Sequence, residues 1–271
     1  MVPVKVLCIG GSDSSGGAGI QADLKAVSAC GCWGLSVITA VTAQNTQGVR
    51  DIHPVGQKFI LAQLDSVLND IGADAVKTGM LLTAGAVESV ALKVKEYRLE
   101  KLVVDPVMVA KGGRSLMQDR ARDVLIKKLL PQAFVLTPNI PEAEILAQCS
   151  IKTVAAMEKA AVIIHQLGAK NVLIKGGHLP GSKRLGALDI LFDGDHCYKF
   201  SAPWINSRDT HGTGCTYASL LASALALGNN IVDAVGQAKK MVAAAIENGL
   251  ILGMGYGSVN IFGNNFLTKK R

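Results

Sequence analysis

Asp209-Thr210-His211-Gly212-Thr213-Gly214-Cys215-Thr216 runs directly into the apolar stretch Tyr217-Ala218-Ser219-Leu220-Leu221. Three physical features meet in these residues. Glycines allow backbone N–H groups to approach an anion closely. A helix that starts here adds the positive end of its dipole. Cys215 stands at the helix start, where thiol pKa values tend to fall. Together they describe an anion hole with a candidate base inside it. The plain alternative is a loop-to-helix turn that carries a cysteine.

Outward from this stretch, apolar β-rich runs occupy residues 4–9, 35–40, 75–78, 102–104, 133–136, 171–175 and 187–192. Several are apolar almost throughout, as parallel strands covered on both faces require. Helix-periodic segments lie at 56–71, 84–97, 119–129 and 154–167, with two more at 213–227 and 231–248. The alternation predicts an α/β sandwich around a mostly parallel sheet. A hairpin interrupts it, with 188–192 and 196–201 flanking the turn Asp193-Gly194-Asp195. No Pro/Gly-rich linker and no internal repeat divides the chain, so 1–271 reads as one domain with a short tail from about 262. Glycine and polar residues gather after strands, at 10–19, 105–113, 137–142 and 176–181. Ligands of open α/β sheets bind beyond the carboxyl ends of strands, so these loops are expected to build one site.

Composition narrows the classes. With 49% hydrophobic and 18% charged residues the chain is globular rather than disordered. Aromatics at 4% leave few stacking platforms for RNA, and no nucleic-acid partner is expected. The net charge of +7 fits a phosphate-handling enzyme without identifying one. Its densest basic cluster, Lys269, Lys270 and Arg271, reads as a solvated tail. None of the six cysteines forms a C-x₂-C pair, which argues against zinc. The apolar run at the N-terminus is too short for a signal peptide, and the longest apolar helix is too short to span a bilayer. A cytoplasmic protein without a membrane partner is expected.

The pattern at 209–215 resembles the anion-hole signature of ribokinase-like kinases. Its form T-H-G-T-G-C-T, with cysteine where aspartate usually stands, resembles the hydroxymethylpyrimidine and phosphomethylpyrimidine kinases of thiamine biosynthesis. Some related pyridoxal kinases share it. The resemblance runs from about Val4 to about Ile261. It implies a ribokinase-like three-layer sandwich with a mostly parallel central sheet flanked by helices. It also implies ATP as co-substrate, Mg²⁺ as cofactor and a homodimer. Cys215 becomes the base that activates the substrate hydroxyl, with the amides of Gly212, Thr213 and Gly214 holding the transferring phosphoryl group.

Other motifs take their expected places beside it. The glycine-rich loop 10–19 suggests close backbone approach to a ligand, but its spacing is not the G-x-G-x-x-G of dinucleotide sites. Gly11 is expected at the pyrimidine. Asp23 reads either as a first-turn helix acid or, on the resemblance, as a substrate-side residue. Gln44 offers a donor and an acceptor together, which suits an aminopyrimidine edge; otherwise it is a solvated loop residue. Met80 supplies a polarizable wall or ordinary core filling. Thr78 stands where the resembling kinases often carry isoleucine. On the resemblance, Val107 lines the ring pocket and Asp105 acts near Mg²⁺. Asn139 and Glu142 form an N-x-x-E motif that would order Mg²⁺ and its waters, or simply open a helix. Lys175 is expected to neutralise phosphate charge or to snorkel at a strand end. Thr210 and His211 are placed on the ATP side. The expected reaction is phosphorylation of 4-amino-5-hydroxymethyl-2-methylpyrimidine and then of its monophosphate. The competing readings are a pyridoxal kinase of vitamin B6 salvage, a dinucleotide-dependent oxidoreductase and a non-catalytic binding regulator.

Overall fold

The strands are β1 (Lys5–Asp13), β2 (Trp33–Asn45), β3 (Gly48–Pro54), β4 (Ala75–Thr78), β5 (Leu102–Val104), β6 (Val135–Leu136), β7 (Val172–Ile174), β8 (Ala187–Phe192) and β9 (Cys197–Ala202). They form one sheet in the order β3-β2-β1-β4-β5-β6-β7-β8-β9. The six strands from β2 to β7 in that order run parallel; β3 and β8 run against them, and β9, antiparallel to β8, runs with them again. These coordinates are a computed structural model that describes residues 2–109 and 115–263. The basic tail residues Lys269, Lys270 and Arg271, and part of the glycine-rich 105–113 loop, lie outside the described residues.

Side chains alternate between two cores because strand residues point to opposite faces. Leu7 and Ile9 join Val104, Leu136 and Ile174 against α2 (Gln57–Asp70), α3 (Ala84–Glu96), α5 (Ile140–Ala147) and α6 (Val154–His165). Val6, Cys8, Val103, Val135 and Leu173 turn the other way, towards α1 (Gly19–Ala29), α8 (Thr213–Ala226) and α9 (Ile231–Glu247); the short α7 (Ser182–Leu185) stands between β7 and β8 in the chain. The expected three-layer sandwich is therefore present, and burial on both faces explains the continuous apolar runs. No described helix is long and apolar enough to cross a membrane.

Three elements differ from expectation. The second strand extends to Asn45 and returns as β3, which carries exposed Arg50, Asp51 and His53. An edge strand with a polar face has no apolar run to announce it, and Pro54 ends it where no further ladder bond is needed. The helix α1 starts at Gly19, inside a segment read as loop. The 119–129 helix divides into α4 (Asp119–Val124) and a π-helical turn, Leu125–Leu129, before a short 3-10 turn that contains Pro131.

The connection β1-α1-β2 leaves β1 on one flank, and the chain later returns to β4 on the other. That change of direction makes β1 the topological switch, and a crevice opens at the carboxyl ends of β1 and β4. Thr78 ends β4 fully buried, and its Oγ1 has no hydrogen-bond partner among the described residues. A hydroxyl in that state costs about 1–3 kcal/mol. Thr78→Val is therefore expected to raise the melting temperature by roughly 2–4 °C per kcal/mol recovered. Thermal unfolding checks this, and an unchanged or lower melting point would mean the hydroxyl is satisfied.

Candidate active site

Helix α8 begins from Gly212, whose φ of 81° is left-handed. A Cβ at that position would also collide with the Gly17 carbonyl, so glycine is required twice over. Gly212 has no side chain to accept from the first-turn amides, whereas α3, α5, α6 and α9 are closed by Thr83, Asn139, Thr153 and Asn230. Uncapped first-turn donors and a helix dipole suit an anion. A Cβ built on Gly214 would sit 3.6 Å from Lys175 Nζ and 3.7 Å from Asp105 Oδ2. The start of α8 thus lies against a charged pair from the ends of β5 and β7.

In that pair Lys175 Nζ donates to Asp105 Oδ1 at 2.7 Å. The Thr137 hydroxyl donates to the same oxygen at 3.2 Å. Burial opposes the charge on Lys175, yet the Asp105 and Glu142 carboxylates hold its pKa above the usual lysine value. Asn139 and Glu142 form a reciprocal capping box: Glu142 N donates to Asn139 Oδ1 at 3.0 Å, and Asn139 N to Glu142 Oε2 at 2.9 Å. Glu142 Oε1 accepts from Met108 N at 3.4 Å. Burial pushes Glu142 up to about 7; Lys175 pulls it down and Asp105 pushes it up.

Asp105, Asn139 and Glu142 present the hard oxygen donors that Mg²⁺ prefers. The Asn139 and Glu142 oxygens already accept from backbone amides, and Asp105 Oδ1 from Lys175 and Thr137, an arrangement that suits contact with a cation through water, which Mg²⁺ retains readily. Among the described residues no group of three or more His, Cys, Asp and Glu is placed to hold a metal by itself. The residues fit a cation that brings phosphate oxygens and waters as its other ligands. The helix-opening reading of N-x-x-E is realised in the same geometry.

Cys215 is partly buried in the first turn of α8. Burial pushes its thiol up to about 11; Lys77 and the Gly19 amide pull it down, and Asp23 and Asp105 push it up. The expectation that a helix start lowers this thiol is corrected here, because burial outweighs the pull of Lys77 and the Gly19 amide. Asp23 also needs correction as a residue expected on the substrate side. It is fully buried, and both carboxylate oxygens accept from Lys77 Nζ at 2.8 Å. Ser219, one turn after Cys215 on α8, donates to it at 2.9 Å. Burial opposes the charge on both partners: it raises the Asp23 carboxyl despite Lys77, whereas Asp23, Cys215 and Asp105 together hold the Lys77 ammonium above its usual pKa.

On the other flank of the crevice, Met80 packs with Ala40 and Leu116, and Val107 joins that small cluster. The Met80 carbonyl accepts from Thr39 Oγ1 at 2.6 Å. A Cβ on Gly11 would meet Met80 Cε, so the glycine lets this methionine lie directly against the backbone of β1, and a larger residue would push the flexible end of Met80 aside. Gln44, at the end of β2, lies 3.3 Å from His211 Nε2 through its carboxamide nitrogen. The His211 ring is thereby turned to the Gln44 side, whereas it was expected on the ATP side. The same ring nitrogen lies 2.9 Å from Asp13 Oδ2. Thr210 keeps its place in the loop, where its carbonyl accepts from Thr213 Oγ1 at 2.8 Å.

Two residues here escaped sequence reasoning. Asp13 accepts from Ser15 N, Ser15 Oγ and Ala18 N besides its contact with His211. Burial opposes its charge, but the bonds from His211, Ser15 and Ala18 win and lower it to about 2. Its signal was an acid inside a glycine-rich turn. Lys77 is a lysine inside an apolar strand, a position that asks for a buried partner.

An uncapped helix start, a thiol within it, a lysine–carboxylate pair beside it and a small apolar cluster around Met80 define a small-molecule kinase of the ribokinase-like class. The model of the phosphomethylpyrimidine kinase family matches residues 13–260, and the chain belongs to that family. A thiamine biosynthesis bifunctional protein of Geobacter sulfurreducens is 51% identical over 255 residues; the match covers 94% of this chain and 51% of that protein. The chain thus spans about half the length of that relative. The hydroxymethylpyrimidine/phosphomethylpyrimidine kinase of Bacillus subtilis is 46% identical over 258 residues, covering 95% of this chain and 94% of that one. Among solved structures, phosphomethylpyrimidine kinase from Clostridium difficile 630 superposes with a TM-score of 0.79 at 44% identity, covering 90% and 99% of the two chains. The pyridoxal kinase of Staphylococcus aureus, in complex with AMP-PCP and pyridoxal, gives 0.89 at 34% identity, covering 98% and 96%.

Proposed function

We propose that this chain transfers the γ-phosphoryl group of ATP to the hydroxymethyl oxygen of 4-amino-5-hydroxymethyl-2-methylpyrimidine, and then phosphorylates the monophosphate to the diphosphate, as steps of thiamine biosynthesis. The observation that carries the reading is the uncapped start of α8, with Cys215 in its first turn, facing Lys175 and Asp105. The pyrimidine lies between Gly11, Gln44, Met80 and Val107, with its hydroxymethyl group towards Cys215. The Cys215 thiolate takes the hydroxyl proton as the new O–P bond forms. The bond from the γ-phosphorus to the bridging oxygen breaks, and ADP carries away that electron pair. The Gly212, Thr213, Gly214 and Cys215 amides hold charge on the phosphoryl group in flight, and Lys175 neutralises phosphate charge beside them. Mg²⁺, when bound with ATP, offsets charge on the phosphate oxygens, and Asp105, Asn139 and Glu142 would hold it through waters.

The same reading takes the enzyme as a cytoplasmic homodimer, which the family resemblance supports. The second reading, pyridoxal kinase, is favoured by the likeness to the Staphylococcus aureus structure at 34% identity. The 46% identity to the Bacillus subtilis pyrimidine kinase favours the first. Consumption of ATP with Mg²⁺, compared for the pyrimidine alcohol, its monophosphate and pyridoxal, tests the choice, with products identified by mass. Turnover of both pyrimidines, with pyridoxal slower, is expected. Preference for pyridoxal would move the enzyme to vitamin B6 salvage.

A further inference from the structure

The two ends of a carboxamide have the same shape, so the protons around Gln44 decide which end lies where. His211 Nε2 lies within hydrogen-bond distance of Asp13 Oδ2, at 2.9 Å, and of the Gln44 amide, at 3.3 Å. Asp13 is an ionised acceptor with its pKa held near 2, so a bare lone pair on Nε2 would face a carboxylate lone pair. Nε2 therefore carries the proton, in the neutral and the protonated ring alike. A protonated Nε2 repels an NH₂ group and attracts a carbonyl oxygen. On the opposite side, the Thr42 hydroxyl has one proton and two acceptors in reach: the Ser12 carbonyl at 3.0 Å and Gln44 at 3.2 Å. If that proton goes to the nearer Ser12 carbonyl, Thr42 Oγ1 becomes an acceptor and needs an N–H from Gln44. Both ends count to the same arrangement.

We infer that Asp13 and His211 act as positioning residues that lock the Gln44 carboxamide with its oxygen towards His211 and its NH₂ towards Thr42, and so fix which donor–acceptor order a substrate edge must present. This rests on the reading of Gln44 as the residue that meets the pyrimidine edge. In the locked state Gln44 offers an acceptor on the His211 side and a donor on the Thr42 side. A 4-aminopyrimidine answers it with an amino donor beside an unprotonated ring nitrogen. The 4-oxo counterpart, with C=O beside a ring N–H, presents the reverse order and would need the amide turned over. The contacts span the chain, 198 residues between Asp13 and His211 and 167 between Gln44 and His211, so the lock forms only in the fold.

The test is kcat/KM for 4-amino-5-hydroxymethyl-2-methylpyrimidine divided by kcat/KM for its 4-oxo counterpart. His211→Phe keeps a flat ring of similar size and removes the proton. It is expected to lower the ratio by about 10–100-fold, the usual worth of a hydrogen bond to a charged or shared donor. Asp13→Asn keeps the shape of the turn held by Ser15 and Ala18 and is expected to lower the ratio in the same direction, so the test survives if one variant fails to fold. A merely structural role would depress both substrates together and leave the ratio at its wild-type value, which would overturn the lock. Gln44→Ala separates the two layers of inference. If it collapses the ratio while both other variants leave it intact, the lock alone is wrong. If it leaves the ratio unchanged, Gln44 does not read the pyrimidine edge, and the lock falls with that reading.

Discussion

Cys215→Ala is expected to lose about 10²–10⁴ in kcat with the pyrimidine alcohol, the scale on which a positioned general base contributes. The KM for ATP should change little, because the amides of α8 and the Lys175–Asp105 pair remain. The pH dependence gives an independent signature. With the thiol pushed up to about 11, the basic form is scarce at neutral pH and grows about tenfold per pH unit. The kcat/KM of the wild-type enzyme, which reports the free protein, should rise towards alkaline pH. The alanine variant should lack that limb. Near-normal turnover by Cys215→Ala, or an alkaline limb that persists in it, would remove the thiol from the role of base.

The second large effect is on stability. Lys77→Met is expected to destabilise the fold by about 3–5 kcal/mol, because it strands the Asp23 carboxylate without water or a counter-charge. Lys77 and Asp23 are both fully buried, and the ammonium bonds both carboxylate oxygens. At roughly 2–4 °C per kcal/mol, the melting temperature should fall by about 6–20 °C. The double variant Lys77→Met with Asp23→Leu should recover most of that loss, since replacing a buried pair by apolar groups is often near neutral. Thermal unfolding of the wild type, the single and the double variants decides it. A single variant within a degree of wild type would mean the pair is not a buried ion pair, and a double variant no better than the single would mean Lys77 acts through packing.

The parallel strands were legible because burial on both faces leaves an apolar run in the sequence itself. β3 was not, because Arg50, Asp51 and His53 face solvent at a sheet edge and leave no such run. The glycine-opened, uncapped start of α8 was legible because its parts are contiguous from Thr210 to Cys215 and local chemistry suffices to read them. Lys77 and Asp13 were not, since each finds its partner 54 or 198 residues away. His211 was misplaced for the same reason: its ring reaches across to Gln44 and Asp13, which the loop around it does not reveal. The acidity of Cys215 was misread because a helix start is a local feature, while the burial that opposes it comes from the packing of α8 on α1 and the sheet.

That raised thiol has a bearing on survival under oxidative stress. Peroxide and disulfides attack the thiolate, and the susceptibility of a cysteine follows its thiolate fraction and its exposure. A sulfur whose pKa burial raises well above neutrality offers little thiolate at neutral pH. The arrangement that slows Cys215 as a base at rest therefore shields it from conversion to sulfenic acid, so the enzyme should hold its activity through exposures to peroxide that would inactivate a kinase built on an acidic thiol.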